Sequence, residues 1–220
     1  MPKPLSLLLM LASVGFAQSI RIGVEGGVPL TNAFATHTLT TYPPGVVMAP
    51  INYAGHTKRY IAGVTAELGL PFRLAVKADL LYKRLNFDSA SISSAAMVGT
   101  TTANSFEFPV LAKYSRGKLG PLQPYVEAGV AFRQLQGVSK TLKLNCTTCT
   151  RVAPTSHPAE LSHSFTKGFT AGAGLEFRAL LVGVFGELRY TRWTADAFSD
   201  PNGGINSRRN QADLLVGVTF

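Results

Sequence analysis

Charge is scarce in this chain. Asp, Glu, Lys and Arg make up 15% of its 220 residues, against roughly 25% in an average soluble domain. Cysteine is limited to two residues, so neither has another thiol partner within the chain. Past the N-terminus no apolar run reaches the roughly 18 residues of a spanning helix, which argues against a helical membrane protein. Helical periodicity is almost absent, and 21 Gly with 13 Pro disfavour a helix bundle. Acidic residues are the scarcer sign, 12 against 21 basic, for a net charge of +9. What remains is a chain with 46% hydrophobic residues, too apolar for disorder and of a length that suits one domain.

Residues 1–17 read as a secretory signal peptide. Lys3 supplies the positive start and Leu5 to Val14 the apolar stretch. Gly15 and Ala17 supply the small residues before a cut, in a segment too short to span. The domain proper is expected over 18–220.

Eight segments then alternate apolar residues with polar or small ones, the period of half-buried strands. Their apolar positions begin with Ile20, Ile22 and Val24 and end with Val216, Val218 and Phe220. Short and long connections alternate, the long ones spanning about 31–59, 88–103, 136–164 and 194–209. An up-and-down antiparallel sheet with all its short turns at one end gives this rhythm, as transmembrane barrels do. The expected fold is therefore all-β, an eight-stranded antiparallel up-and-down transmembrane β-barrel.

The intervening positions carry one carboxylate per strand: Glu25, Glu67, Asp79, Glu107, Glu127, Glu176, Glu187 and Asp213. The same face carries Arg21, Arg73, Lys77, Lys83, Lys113, Arg133, Arg178 and Arg189. Polarity alone does not separate a lumen from a soluble barrel's surface; the ends of the apolar face do. The outermost apolar position of strands two to seven is Tyr60, Tyr82, Phe106, Phe132, Phe165 and Tyr190, and Tyr114, Phe177 and Phe220 lie near the other end. Aromatic girdles flanking an apolar band mark a lipid-facing surface. The charged face is then the lumen, eight strands leave an interior just filled by side chains, and the sixteen charges there are expected to form an ion network, since unpaired buried charge is costly.

The terminal Leu-Leu-Val-Gly-Val-Thr-Phe resembles the assembly signal of bacterial outer-membrane barrels, with Phe220 as its aromatic end. The stretches Phe106-Glu107-Phe108-Pro109-Val110-Leu111-Ala112-Lys113-Tyr114, Pro124-Tyr125-Val126-Glu127-Ala128-Gly129, Gly172-Ala173-Gly174-Leu175-Glu176-Phe177 and Glu187-Leu188-Arg189-Tyr190 resemble the outer-membrane beta-barrel domain family. That family includes the PorT-type proteins and is akin to the small eight-stranded OmpA- and OmpX-like barrels. The resemblance covers residues 104–220 well and the first three strands loosely. It implies location in the outer membrane of a Gram-negative-type bacterium and delivery by the barrel assembly machinery.

Few motifs suggest chemistry. Cys146 and Cys149 lie in the third long loop, and a disulfide is the expected state in an exported protein. With His157 and His163 they also read C-x2-C-x7-H-x5-H, a zinc alternative whose middle spacing is shorter than in zinc fingers. Ser162-His163-Ser164 is the one local candidate for a lipid-modifying centre, with Glu160 as its nearest acid. His37 and His56 fall in loops or at a strand edge. No phosphate loop, nucleotide fingerprint or calcium loop occurs, so no cofactor and no enzymatic activity are expected.

Ten basic residues remain for the outer side: Lys58, Arg59, Arg84, Lys140, Lys143, Arg151, Lys167, Arg192, Arg208 and Arg209. Four acids join them there, Asp88, Glu160, Asp196 and Asp200. Outer-membrane lipid and phosphorylated lipopolysaccharide are the polyanions such a surface would meet, and nucleic acid is not an expected partner. The expected role is structural, or a contact of the surface loops with lipid or a protein. A narrow small-solute channel is the alternative, and a lipid-modifying enzyme stands behind it.

Overall fold

The computed structural model of the protein describes residues 19–36, 51–55, 59–91, 97–117, 121–144, 154–179, 182–200 and 205–220. The signal segment, His37, His56, Cys146 and Cys149 lie outside these residues.

Eight long strands close on themselves: β1 (Ile20–Pro29), β4 (Ile61–Gly69), β5 (Leu74–Ser91), β6 (Met97–Ser115), β7 (Leu122–Leu144), β8 (Phe165–Ala179), β9 (Val182–Trp193) and β11 (Asn210–Thr219). All neighbours are antiparallel. The ring shuts where β1 pairs with β11, Val24 opposite Val218, and Phe220 exchanges backbone hydrogen bonds with Ile22. Closure leaves no open sheet edge around the apolar band, as a lipid environment requires.

The alternation places the faces. Ile22, Val24, Val64, Val126, Phe169, Leu188 and Val216 are exposed on the outside, whereas their sequence neighbours Glu25, Thr65, Glu127, Thr170, Glu187 and Leu215 are buried inside. Outward aromatics form the girdles. Tyr82 lies 6.3 Å from Tyr60 and 5.5 Å from Phe106, and Phe132 stacks on Phe165 at 6.2 Å.

Two sequence expectations change here. The segments 88–103 and 136–164 are not simply loops. β5 and β6 stay paired out to Ser91 and Met97, and β6 and β7 out to Met97 and Leu144. The extension is rich in Thr, Ser and Ala, such as Thr100-Thr101-Thr102, so its β-propensity comes without the apolar alternation of the lipid band. The first long connection likewise holds β2 (Phe34–Thr36) and β3 (Ile51–Gly55), and the last holds β10 (Ile205–Ser207), which pairs with β2. The second change is Arg73. A turn at Pro71–Arg73 has positive φ at both Phe72 and Arg73, which breaks the alternation and leaves Arg73 exposed at the end of the barrel.

Candidate functional site

Within the lumen the charged residues fall into three layers. At the turn end, Lys113 Nζ lies 2.8 Å from Glu67 and 3.0 Å from Glu176. Arg21 bonds both carboxylates, 2.6 Å from Glu176 and in close contact with Glu67, and Arg178 reaches Glu176 at 2.7 Å. At the loop end, Lys83 lies 2.9 Å from Glu107 and 2.7 Å from Asp213. Arg133 takes the other side of Glu107 at 2.9 Å, donates to Gln211 at 2.5 Å and stacks on Trp193 at 3.8 Å.

The middle layer is different. Four carboxylates, Glu25, Asp79, Glu127 and Glu187, surround two cations, Lys77 and Arg189. Glu187 is the hub, accepting from Arg189 at 2.6 Å, Lys77 at 2.8 Å and the Tyr125 hydroxyl at 3.0 Å. Arg189 also reaches Asp79 at 2.8 Å and Glu127 at 3.2 Å. Glu25 stands 3.9 Å from Lys77, and neither of its oxygens has a hydrogen-bond partner among the described residues. The side chains of all four carboxylates are 0% exposed. Ile61, Leu81 and Leu215 form an apolar patch among these layers.

Above the loop-end layer sits a cap that the sequence reading did not contain. Phe34, Leu85, Phe87, Ala103, Leu135, Ala197, Phe198 and Ile205 form one buried cluster. Phe34, Phe87 and Phe198 pack edge to face with centroids 5.1–5.8 Å apart, the favoured geometry for aromatic pairs. One signal was present: Leu85 and Phe87 continue the inward parity of Leu81 and Lys83, where the lumen pattern calls for polar residues.

The candidate catalytic segment does not assemble. Glu160 is buried and bonded to Lys140, while exposed His163 holds its Nδ1 2.9 Å from the Asp196 carbonyl. Asp196 itself is tied to Arg209 at 2.7 Å. Exposed His157 contacts the Ser156 hydroxyl at 3.0 Å.

Outward on the same end, exposed Arg59 and Arg192 stand just beyond the girdle aromatics Tyr60 and Tyr190, and exposed Lys167 lies between Phe165 and Phe169, opposite Phe132. Half-buried Arg84 stands beyond Tyr82. Phe220, at the turn end, is exposed on the lipid face.

A family model described as "Outer membrane protein beta-barrel domain" matches residues 16–192. Among solved structures the chain is similar to the outer membrane protein OprG of Pseudomonas aeruginosa, with 11% identity over 92% of this chain and 93% of that one and a TM-score of 0.53. It is also similar to Neisserial surface protein A, with 12% identity over 92% and 97% and a TM-score of 0.41. The attachment invasion locus protein of Yersinia pestis matches with 11% identity over 92% and 97% and a TM-score of 0.40. At that identity the likeness to OprG is one of fold. No curated protein matches the chain.

Proposed function

Because the chain belongs to the outer membrane protein beta-barrel domain family, we propose that this outer-membrane barrel is a closed, non-enzymatic scaffold that acts through its loop end. Its long connections would face the outside, as in barrels of this kind. One observation carries the reading: three buried layers of charged side chains, topped by an aromatic cap, fill the lumen. Driving a solute through would break ion pairs in a low-dielectric interior, which is costly. That weighs against the narrow-channel alternative.

What the loop end offers to partners is a basic collar. Arg59, Arg84 and Arg192 sit just above the girdle and Lys167 within it, in reach of lipid phosphates. Phosphorylated lipopolysaccharide is the partner whose charge suits them, and a protein partner would meet the same end. At the opposite end Phe220 would present the terminal aromatic to the barrel assembly machinery. The Cys146–Cys149 pair would be a local disulfide that shapes the third loop. Planar bilayer recordings on the pure protein test the reading. A silent membrane is the expected result, and steady large single-channel currents would overturn it.

A further inference from the structure

The turn end holds a cavity of about 760 Å³ lined by Arg73, Tyr114, Arg116, Gly117, Pro124, Tyr125 and Val126. Its walls come from two kinds of surface. Tyr114 and Val126 belong to the exposed lipid face, and Arg73 and Arg116 belong to the exposed rim. Neither guanidinium has a hydrogen-bond or ion-pair partner among the described residues. The carboxylates nearest this end, Glu67 and Glu176, are engaged by Arg21, Lys113 and Arg178. Among the described residues no carboxylate pairs with this rim charge.

The backbone works to keep Arg73 there. Phe72 and Arg73 are consecutive non-glycine residues with φ of 63° and 65°, a conformation L side chains adopt at a cost. It turns Arg73 away from the lumen and leaves Phe72 89% exposed, an apolar ring at the membrane boundary. Gly117 completes the arrangement. A Cβ there would stand 3.3 Å from Arg73 Nη1, so the guanidinium lies over Gly117, the residue after Arg116, and both arginines line the cavity.

We propose that this cavity binds an anionic phospholipid of the inner leaflet, with its phosphate between Arg73 and Arg116 and an acyl chain along Tyr114 and Val126. Arginine is suited to this because its fork donates two parallel hydrogen bonds to phosphate oxygens. The source is lipid rather than free phosphate, because the cavity runs without a break from the basic rim onto the apolar face.

The test is a titration of the purified full chain in phosphatidylcholine nanodiscs with increasing phosphatidylglycerol, read as retained lipid by native mass spectrometry. The wild type should retain phosphatidylglycerol preferentially. The double variant Arg73→Gln with Arg116→Gln should lose roughly 30-fold in that preference, the equivalent of one charge interaction per arginine at a membrane surface. Both positions are exposed, so its unfolding midpoint should match the wild type. Repeated in the Lys167→Gln, Arg192→Gln background, which weakens lipid retention at the opposite rim, the Arg73/Arg116 loss should persist, which separates this site from the loop-end contact proposed above. An unchanged preference in the Arg73/Arg116 variant would overturn the proposal. So would equal displacement of the lipid by inorganic phosphate or by an acidic periplasmic polymer.

Discussion

Two substitutions in the middle lumen layer should have opposite consequences although each removes one buried carboxylate charge. In Glu187→Gln the amide replaces an acceptor that serves three donors. Oε1 takes Arg189 and Oε2 takes Lys77 and the Tyr125 hydroxyl. A glutamine keeps one oxygen and presents an NH2 on the other side. Whichever way it turns, a donor faces either Arg189 or the Lys77–Tyr125 pair. Breaking a buried pair from one side costs about 3–5 kcal/mol. Glu25→Gln removes a carboxylate whose oxygens have no hydrogen-bond partner among the described residues and whose nearest named cation stands 3.9 Å off. In a layer with four carboxylates around two cations, neutralising Glu25 lowers the repulsion and should leave stability unchanged or raise it.

The assay is urea unfolding from lipid vesicles, followed by tryptophan fluorescence. Trp193, the single Trp of the chain, is buried against Arg133 in the loop-end layer, so it reports loss of the lumen. With a slope of about 1–3 kcal/mol/M for a small protein, Glu187→Gln, at about 3–5 kcal/mol, should lower the midpoint by roughly 1–5 M. Glu25→Gln should not lower it. Equal losses for the two variants would refute the reasoning. They would mean that the layer responds to its total charge and not to the hydrogen bonds each carboxylate accepts.

Three further outcomes follow from the same geometry. Phe198→Ala removes the ring that meets Phe34 and Phe87; a core Phe→Ala costs about 3–5 kcal/mol, here confined to the cap, so limited proteolysis should accelerate between residues 154 and 164 while the barrel midpoint holds. Gly129→Val would place a Cβ 2.0 Å from the Val110 carbonyl oxygen, so the variant should fail to show the gel shift between unheated and boiled samples that a folded barrel gives. Cys146→Ser with Cys149→Ser should leave barrel unfolding nearly unchanged, because closing so short a ring contributes only about 2 kcal/mol in the chain-entropy model; thiol-labelling mass spectrometry of protein from oxidising envelopes should find both sulfurs blocked, and two free thiols with bound zinc would contradict the disulfide.

The barrel was legible because its period of two persists through the lipid band, where a single slip would turn every side chain to the wrong face. The cap was not, because its residues reach one another from the first and last long connections and from the outer ends of β5, β6 and β7. Phe34, Phe198 and Ile205 sit in segments with no period at all. Leu85 and Phe87 do keep the inward parity of β5, but parity says which way a side chain points and not what it meets. The same limit applies to the lumen. Alternation put Glu176 and Arg21 on one face, yet they meet 155 positions apart, across a closure whose register no local pattern encodes. Arg73 shows the converse failure. Counting back from Leu74 assigns it to the lumen, and two residues of left-handed backbone cancel the count.

The unusual composition follows from this inverted architecture. A barrel in lipid exposes its apolar face and keeps charge for the narrow interior and the two rims, so total charge is low while hydrophobic content stays ordinary. Eight of the 12 acidic residues occupy the three lumen layers, each placed where a Lys or Arg can reach its layer. Acids are thereby consumed inside, and the net charge of +9 has to emerge at the ends. It does so at both: Arg59, Arg84 and Arg192 beyond one girdle with Lys167 within it, Arg73 and Arg116 at the other end. Each rim would lie near a phosphate layer of the membrane. A basic excess split this way would suit a barrel that sits between two anionic surfaces.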